Sequence, residues 1–244
     1  MSKTISTKML LKLIIILTWA SPMSVSIYAA EDDLYDFLWL DPDKKVYVLQ
    51  NKVFEKKKTN YVELGLITGL NSNFQSTTGV HFSAGRYITE EIAIEGIYHT
   101  YSNNDDDTYN SIRQVNATIP FVRRATSKMG INAIWSPFYG KVNTFNKIIY
   151  FDWSFGLGIG QIKTESNGET VSNKAAAEQY KEESHMAVLT KTAFKIHLNK
   201  RFNIGITYSM DHFKSKGPNL GNGSPRPESW GTNNEAMLSL GFNF

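Results

Sequence analysis

From residue 60 onward the chain alternates apolar with small or polar residues. About eight segments of some ten residues do so, near 60–70, 77–88, 91–102, 128–138, 148–163, 185–198, 201–213 and 234–244. A period of two over such lengths predicts β-strands with one apolar face. The clearest segment is IIYFDWSFGLGIG. Ile149, Phe151, Trp153, Phe155, Leu157 and Ile159 share one face, and Tyr150, Asp152, Ser154, Gly156, Gly158 and Gly160 share the other. A helix would scatter those glycines around its circumference at about 1 kcal/mol each, whereas a strand sorts them. RFNIGITYSMDHF divides in the same way, with Phe202, Ile204, Ile206, Tyr208 and Met210 opposite Asn203, Gly205, Thr207, Ser209 and Asp211. The closing AMLSLGFNF alternates as far as Phe244, so the final residue is expected to lie within a sheet.

The links between segments alternate in length. Those at 70–76, 103–127, 164–184 and 214–233 are mostly long and rich in Asn, Asp, Gly, Ser and Pro, and those at 88–90, 139–147 and 199–200 are short. An even number of antiparallel strands with short turns at one end and long loops at the other predicts an outer-membrane barrel. The expected fold is therefore all-β: an eight-stranded antiparallel up-and-down transmembrane β-barrel with short periplasmic turns and mostly long outer loops. Its structural rival is a soluble, lipocalin-like barrel with the apolar face inside and long charged side chains outside. The side-chain chemistry favours lipid outside. One face carries Leu, Ile, Phe, Val and Trp with hardly any charge; the other is rich in Gly and Ser, which suit a narrow bore. Tyr61, Tyr98, Tyr101, Trp135 and Tyr208, near strand ends, are expected to form interfacial girdles.

The first thirty residues change the picture further. Lys3, Lys8 and Lys12 precede the apolar run Leu13 to Ala20, and small residues follow up to Ala29 and Ala30. This order predicts a secretory signal peptide over 1–30, too short to span a bilayer as a helix; a retained N-terminal anchor is the alternative. Residues 31–58 form a charged lead-in with a strand-like VYVLQ, expected in the periplasm rather than in the wall. The barrel is expected over 59–244. Cysteine is absent and the formal net charge is +3, which gives no disulfide or thiolate metal site and no argument for nucleic acid.

Three stretches carry a family resemblance: KVYVLQNKVFEKK, AIWSPFYGKVNTFNKIIYFDW and the closing LSLGFNF. They resemble the outer-membrane β-barrel domain family described from predatory and myxobacterial delta-proteobacteria, across nearly the whole mature chain. The middle motif is the most specific, with Trp135 to Lys141 where a strand runs into a periplasmic turn and Phe151-Asp152-Trp153 early in the next strand. Pro137 fits a strand end or bulge, and Gly140 is expected to permit the reversal. The resemblance implies an integral outer-membrane protein of eight strands and no defined reaction. Leu240, Phe242 and the terminal Phe244 likewise look like the signal that hands outer-membrane barrels to their assembly machinery.

Candidate chemistry lies on the small-residue face. Glu63, Glu95, Asp152 and Asp211, with Glu235 as a further member, are expected to face Lys191 and Lys195 across the lumen. Buried charges persist when paired and hydrogen-bonded, so a plug of salt bridges is expected; a gated cation path through the same residues is the sharper alternative. Asp211-His212 is the best catalytic candidate for a rim-sited, lipid-modifying enzyme, but adjacent strand residues point to opposite faces. His81, His99 and His197 are read as members of a polar interior. The run NNDDD at 103–107 offers Ca²⁺-type oxygens without EF-hand spacing. Gly156, Gly158 and Gly160 are not a nucleotide fingerprint, because no helix follows them. No catalytic residue, cofactor or metal is assigned. The partners expected are outer-membrane lipid and lipopolysaccharide, with Lys163, Lys174, Lys181, Lys214, Lys216 and Arg226 near the head groups, and the assembly machinery. The main expectation is a structural or surface-interaction role, with a narrow channel as the alternative and the rim enzyme third.

Overall fold

The computed structural model describes residues 53–116, 119–144, 147–173, 179–219, 224 and 226–244. The expected signal peptide and most of the lead-in lie outside them. Eight strands form a closed ring in sequence order: β1 (Asn60–Gly69), β2 (Gln75–Tyr87), β3 (Ile92–Asp105), β4 (Arg123–Thr144), β5 (Lys147–Ser166), β6 (Lys181–His197), β7 (Phe202–Lys216) and β8 (Glu228–Asn243). Every neighbouring pair is antiparallel, and β8 closes on β1 from Tyr61↔Asn243 to Gly69↔Glu235. Closure leaves no sheet edge. Two short helices, α1 (Asp107–Asn116) and α2 (Gly168–Asn173), sit in the long loops. Asp106 caps α1, its Oδ1 accepting the Tyr109 amide at 2.8 Å.

The alternation predicted from sequence sorts the wall. Outward side chains such as Leu66, Ile206 and Leu238 are 68, 62 and 56 % exposed, and those positions pair across the β1–β8–β7 seam. Charged outward positions on the strands stand only at the rims: Arg86 and Lys147 near the short-turn end, and Arg124, Lys163, Glu165, Glu182, Lys214, Lys216 and Glu228 near the long-loop end. Among the described residues no helix is long and apolar enough to cross a membrane, which bears on helices alone.

Several elements differ from the sequence expectation. The ladder of β4 and β5 runs from Arg123↔Ser166 to Thr144↔Lys147, beyond the apolar belt at both ends. Gly140 is therefore not the point of reversal. It pairs with Phe151 inside the ladder, where a Cβ would come 2.4 Å from the Phe151 ring. Pro137 sits at a bulge, where the register shifts between Trp135 and Phe138. This shift moves the outward set from odd to even numbers, so Trp135 and Phe138 both face out. Tyr61 and Tyr101 are not girdle residues. They share the odd parity of Glu63 and His99, point inward and are hydrogen-bonded in the lumen; Tyr98, Trp135 and Tyr208 do face outward.

The small residues on the inner face are fixed by backbone proximity. A Cβ on Gly158 would lie 2.2 Å from both Asn132 Oδ1 and the Ile131 carbonyl oxygen. Gly158→Ala is expected to cost about 1–3 kcal/mol, since the Ile131 carbonyl belongs to the backbone of the ladder and cannot turn aside, read as a fall in the urea midpoint. An unchanged midpoint would show that β4 and β5 lie further apart than described.

Candidate functional site

The inner face is a stack of charged layers crossed by apolar wedges. Nearest the long-loop end, the Lys128 ammonium on β4 donates to Asp211 Oδ2 at 2.7 Å and to Glu235 Oε2 at 2.9 Å, with all three side chains about 1 % exposed. Tyr101 donates its hydroxyl to Glu235 Oε1. The Asn233 amide donates to Asp211 Oδ2 at 3.2 Å and to Glu235 Oε1 at 2.5 Å. His99 Nδ1 lies 3.3 Å from Glu235 Oε2, and its Nε2 lies 2.8 Å from His81 Nδ1. Each carboxylate here thus meets a cation and further donors, the condition under which buried charge is retained.

One step further in, Lys191 on β6 donates to Glu95 Oε1 at 2.5 Å, and the Tyr61 hydroxyl donates to Glu95 Oε2 at 3.0 Å. Lys195, two residues along β6 and therefore on the same face, pairs with Glu63 and lies 4.9 Å from the centre of the Tyr61 ring. At the short-turn end, Asp152 on β5 accepts from Lys56 at 3.1 Å through Oδ1 and lies 2.8 Å from His197 Nε2 through Oδ2. All six predicted lumen residues, Glu63, Glu95, Asp152, Lys191, Lys195 and Asp211, face inward, and each is paired.

Two cations were missed by sequence reasoning. Lys128 stands at the first position of a predicted strand, and its parity with Asn132 and Ile134 was the available signal. Lys56 precedes β1, and nothing in the period of the wall points to it. The lumen is also less uniformly polar than expected. Ile97, Ile162, Leu189 and Phe213 form an inward apolar cluster with Ala125 and Ala187, and Tyr61, Tyr87, Ala93 and Ile134 form a second one nearer the short turns.

These wedges and ion pairs leave little space. A void lined by His81, His99, Lys128, Asn132 and Asp211 measures about 10 Å³, room for one water at most. At the long-loop end the bore opens into a vestibule of about 240 Å³, lined by Asn71, Arg123, Thr164, Phe213, Ser215 and Asn233 among others.

The remaining candidates separate. β7 continues through Lys216, so Asp211 and His212 point to opposite faces and form no dyad. In the acidic run, Asn103 bonds Thr77 and the Ala125 carbonyl, Asp105 accepts from Gln75, and Asp106 caps α1. Among the described residues no group of three or more His, Asp or Glu side chains has a metal-binding arrangement. Of the outer cations, Lys214 lies over the Trp230 ring at 5.1 Å and Lys181 pairs with Glu169 at 2.7 Å; Lys174 lies outside the described residues.

No protein-family model matches the chain, and no curated protein matches it in sequence. Solved structures do resemble it in shape. Ail, the attachment invasion locus protein of Yersinia pestis, is 11 % identical with a TM-score of 0.41, over 77 % of this chain and 99 % of that one. The N-terminal β-barrel domain of Pseudomonas aeruginosa OprF is 14 % identical with a TM-score of 0.42, over 77 % and 98 %. Neisserial surface protein A is 12 % identical with a TM-score of 0.42, over 75 % and 95 %. The eight-stranded barrel itself stands on the closed ladder of this chain.

Proposed function

We propose that the protein is an integral outer-membrane barrel whose wall is an anchor and whose lumen is closed, with a structural or surface-interaction role carried by its outer loops. The observation that carries this reading is the outward belt. Large apolar side chains stand more than half exposed between two charged rims, a surface that water disfavours and hydrocarbon accepts. Lipid and lipopolysaccharide are then its surroundings, the short turns lie in the periplasm, and the strand ending in Leu240, Phe242 and Phe244 is offered to the assembly machinery. The resemblance of the mid-chain motif to the predatory and myxobacterial barrel family agrees with this placement.

The paired lumen favours a closed wall over the channel alternative. Five carboxylates, Glu63, Glu95, Asp152, Asp211 and Glu235, are matched by Lys56, Lys128, Lys191 and Lys195. A hydrated ion would have to break these contacts to pass. Refolded mature protein is expected to require detergent and to insert into planar bilayers without conductance steps. Reproducible steps would replace this reading with the channel, and a detergent-free soluble monomer would remove the membrane placement altogether.

A further inference from the structure

Among the described residues, three of the four lysines paired in the lumen stand on the wall, Lys128 on β4 and Lys191 and Lys195 on β6. The fourth, Lys56, belongs to the segment before β1 and enters the short-turn mouth from outside the ladder. There its ammonium donates to Asp152 Oδ1 at 3.1 Å and to Ser136 Oγ at 3.0 Å, and it lies 5.4 Å from the centre of the Tyr87 ring. A carboxylate, a hydroxyl acceptor and an aromatic face are the groups that recognise an ammonium ion. Asp152 is 2 % exposed, so without Lys56 it would face the mouth with His197 as its remaining polar contact.

The segment carrying Lys56 is shaped for the mouth. Phe54 stacks on the His197 ring at 4.7 Å and meets the edge of Tyr150 at 5.1 Å. Glu90, in the turn between β2 and β3, accepts the Lys56 and Lys57 amides through its two oxygens at 3.2 and 2.9 Å. Thr59 bonds the Lys56 carbonyl through its hydroxyl and its amide, at 2.6 and 3.0 Å. Lys58, at φ 63°, adopts the left-handed turn that brings the chain into β1. None of these contacts is part of the wall ladder, which begins at Asn60.

We infer that the short-turn mouth is a binding site for a primary ammonium group, filled in cis by Lys56, so that residues 53–58 act as a withdrawable stopper on the lumen. Sealing alone would need only an apolar side chain. A lysine is required because the receptor is a buried carboxylate, and that makes the site selective for a charged nitrogen able to donate several hydrogen bonds.

Two measurements on the full mature chain test this. In native lysine acylation mapped by mass spectrometry, Lys56 is expected to react at least about tenfold more slowly than Lys57 and Lys58, both of which are exposed; tenfold corresponds to about 1.4 kcal/mol of closure. Asp152→Asn is expected to bring Lys56 up to the rate of its neighbours. Equal reactivity in the unsubstituted protein would overturn the inference. In the second measurement, Lys56→Ala is expected to melt at a higher temperature in methylammonium chloride than in potassium chloride of equal ionic strength. No difference between the two salts would remove the ammonium site, even if the segment still packs in the mouth. The first readout does not depend on lipid, so failure of the membrane placement would leave Lys56 protected and remain distinguishable.

Discussion

Lys128→Met is expected to destabilise the folded barrel by about 3–5 kcal/mol, the cost of stripping the partner from buried charge. The substitution keeps an unbranched side chain one atom shorter and removes the ammonium. Asp211 and Glu235, each about 1 % exposed, then share a layer with no lysine between them. Their residual donors, Tyr101, Asn233, Ser209 and His99, cannot neutralise two carboxylates. Urea titration of the protein refolded in micelles, followed by far-ultraviolet circular dichroism, measures the loss. The triple variant Lys128→Met, Asp211→Asn, Glu235→Gln is expected to recover most of it, because an uncharged layer of similar volume is spared the desolvation of two unpaired carboxylates. A cost for Lys128→Met below about 1 kcal/mol, the range of exposed pairs, would mean that this layer is open to water.

Leu238→Arg carries the second large effect and tests which solvent touches the wall. Leu238 lies between Leu66 on β1 and Ile206 on β7, far from either charged rim. An arginine near the bilayer midplane costs about 2–4 kcal/mol, while the same exposed substitution on a water-facing wall falls within about 0.5 kcal/mol. Comparing folding in lipid vesicles for Leu238→Arg and for the rim substitution Lys214→Leu isolates depth from charge. Equal, small effects at both positions would place the belt in water.

The ring was legible in the sequence wherever one face of a strand is apolar and exposed and the other lines a crowded bore. IIYFDWSFGLGIG and RFNIGITYSMDHF were assigned with correct faces because most outward positions are large and apolar and most inward ones are small or polar, Tyr150 and Phe213 being the large inward exceptions. The ends of the longer strands were not legible for the same reason. Lys181 to Ser184 and Glu228 to Asn233 are paired in the ladder, but their outward positions are mostly polar, so the sequence no longer alternates. Gly140 misled because a glycine in a strand and a glycine in a turn look alike until its neighbour, the Phe151 ring, is seen. Tyr61 and Tyr101 misled because a tyrosine near a strand end suits an interface as well as a lumen, and only parity with Glu63 and His99 decides between them. In the site, the six predicted charges followed from parity alone. Lys56 could not, because a residue outside the wall obeys no period, and its place depends on a turn whose left-handed residue is a lysine rather than a telltale glycine.

The ladders around the ring are unequal, and this fixes where the cylinder gives way. The hairpin of β4 and β5 is bonded from Arg123↔Ser166 to Thr144↔Lys147, while β1 meets β8 from Tyr61↔Asn243 to Gly69↔Glu235 and β2 from Asn60↔Arg86 to Thr68↔Thr78. Under traction from either terminus the staves are expected to part along β1, whose joins to β8 and to β2 are equally short, leaving the long central hairpin as the last piece to be extracted.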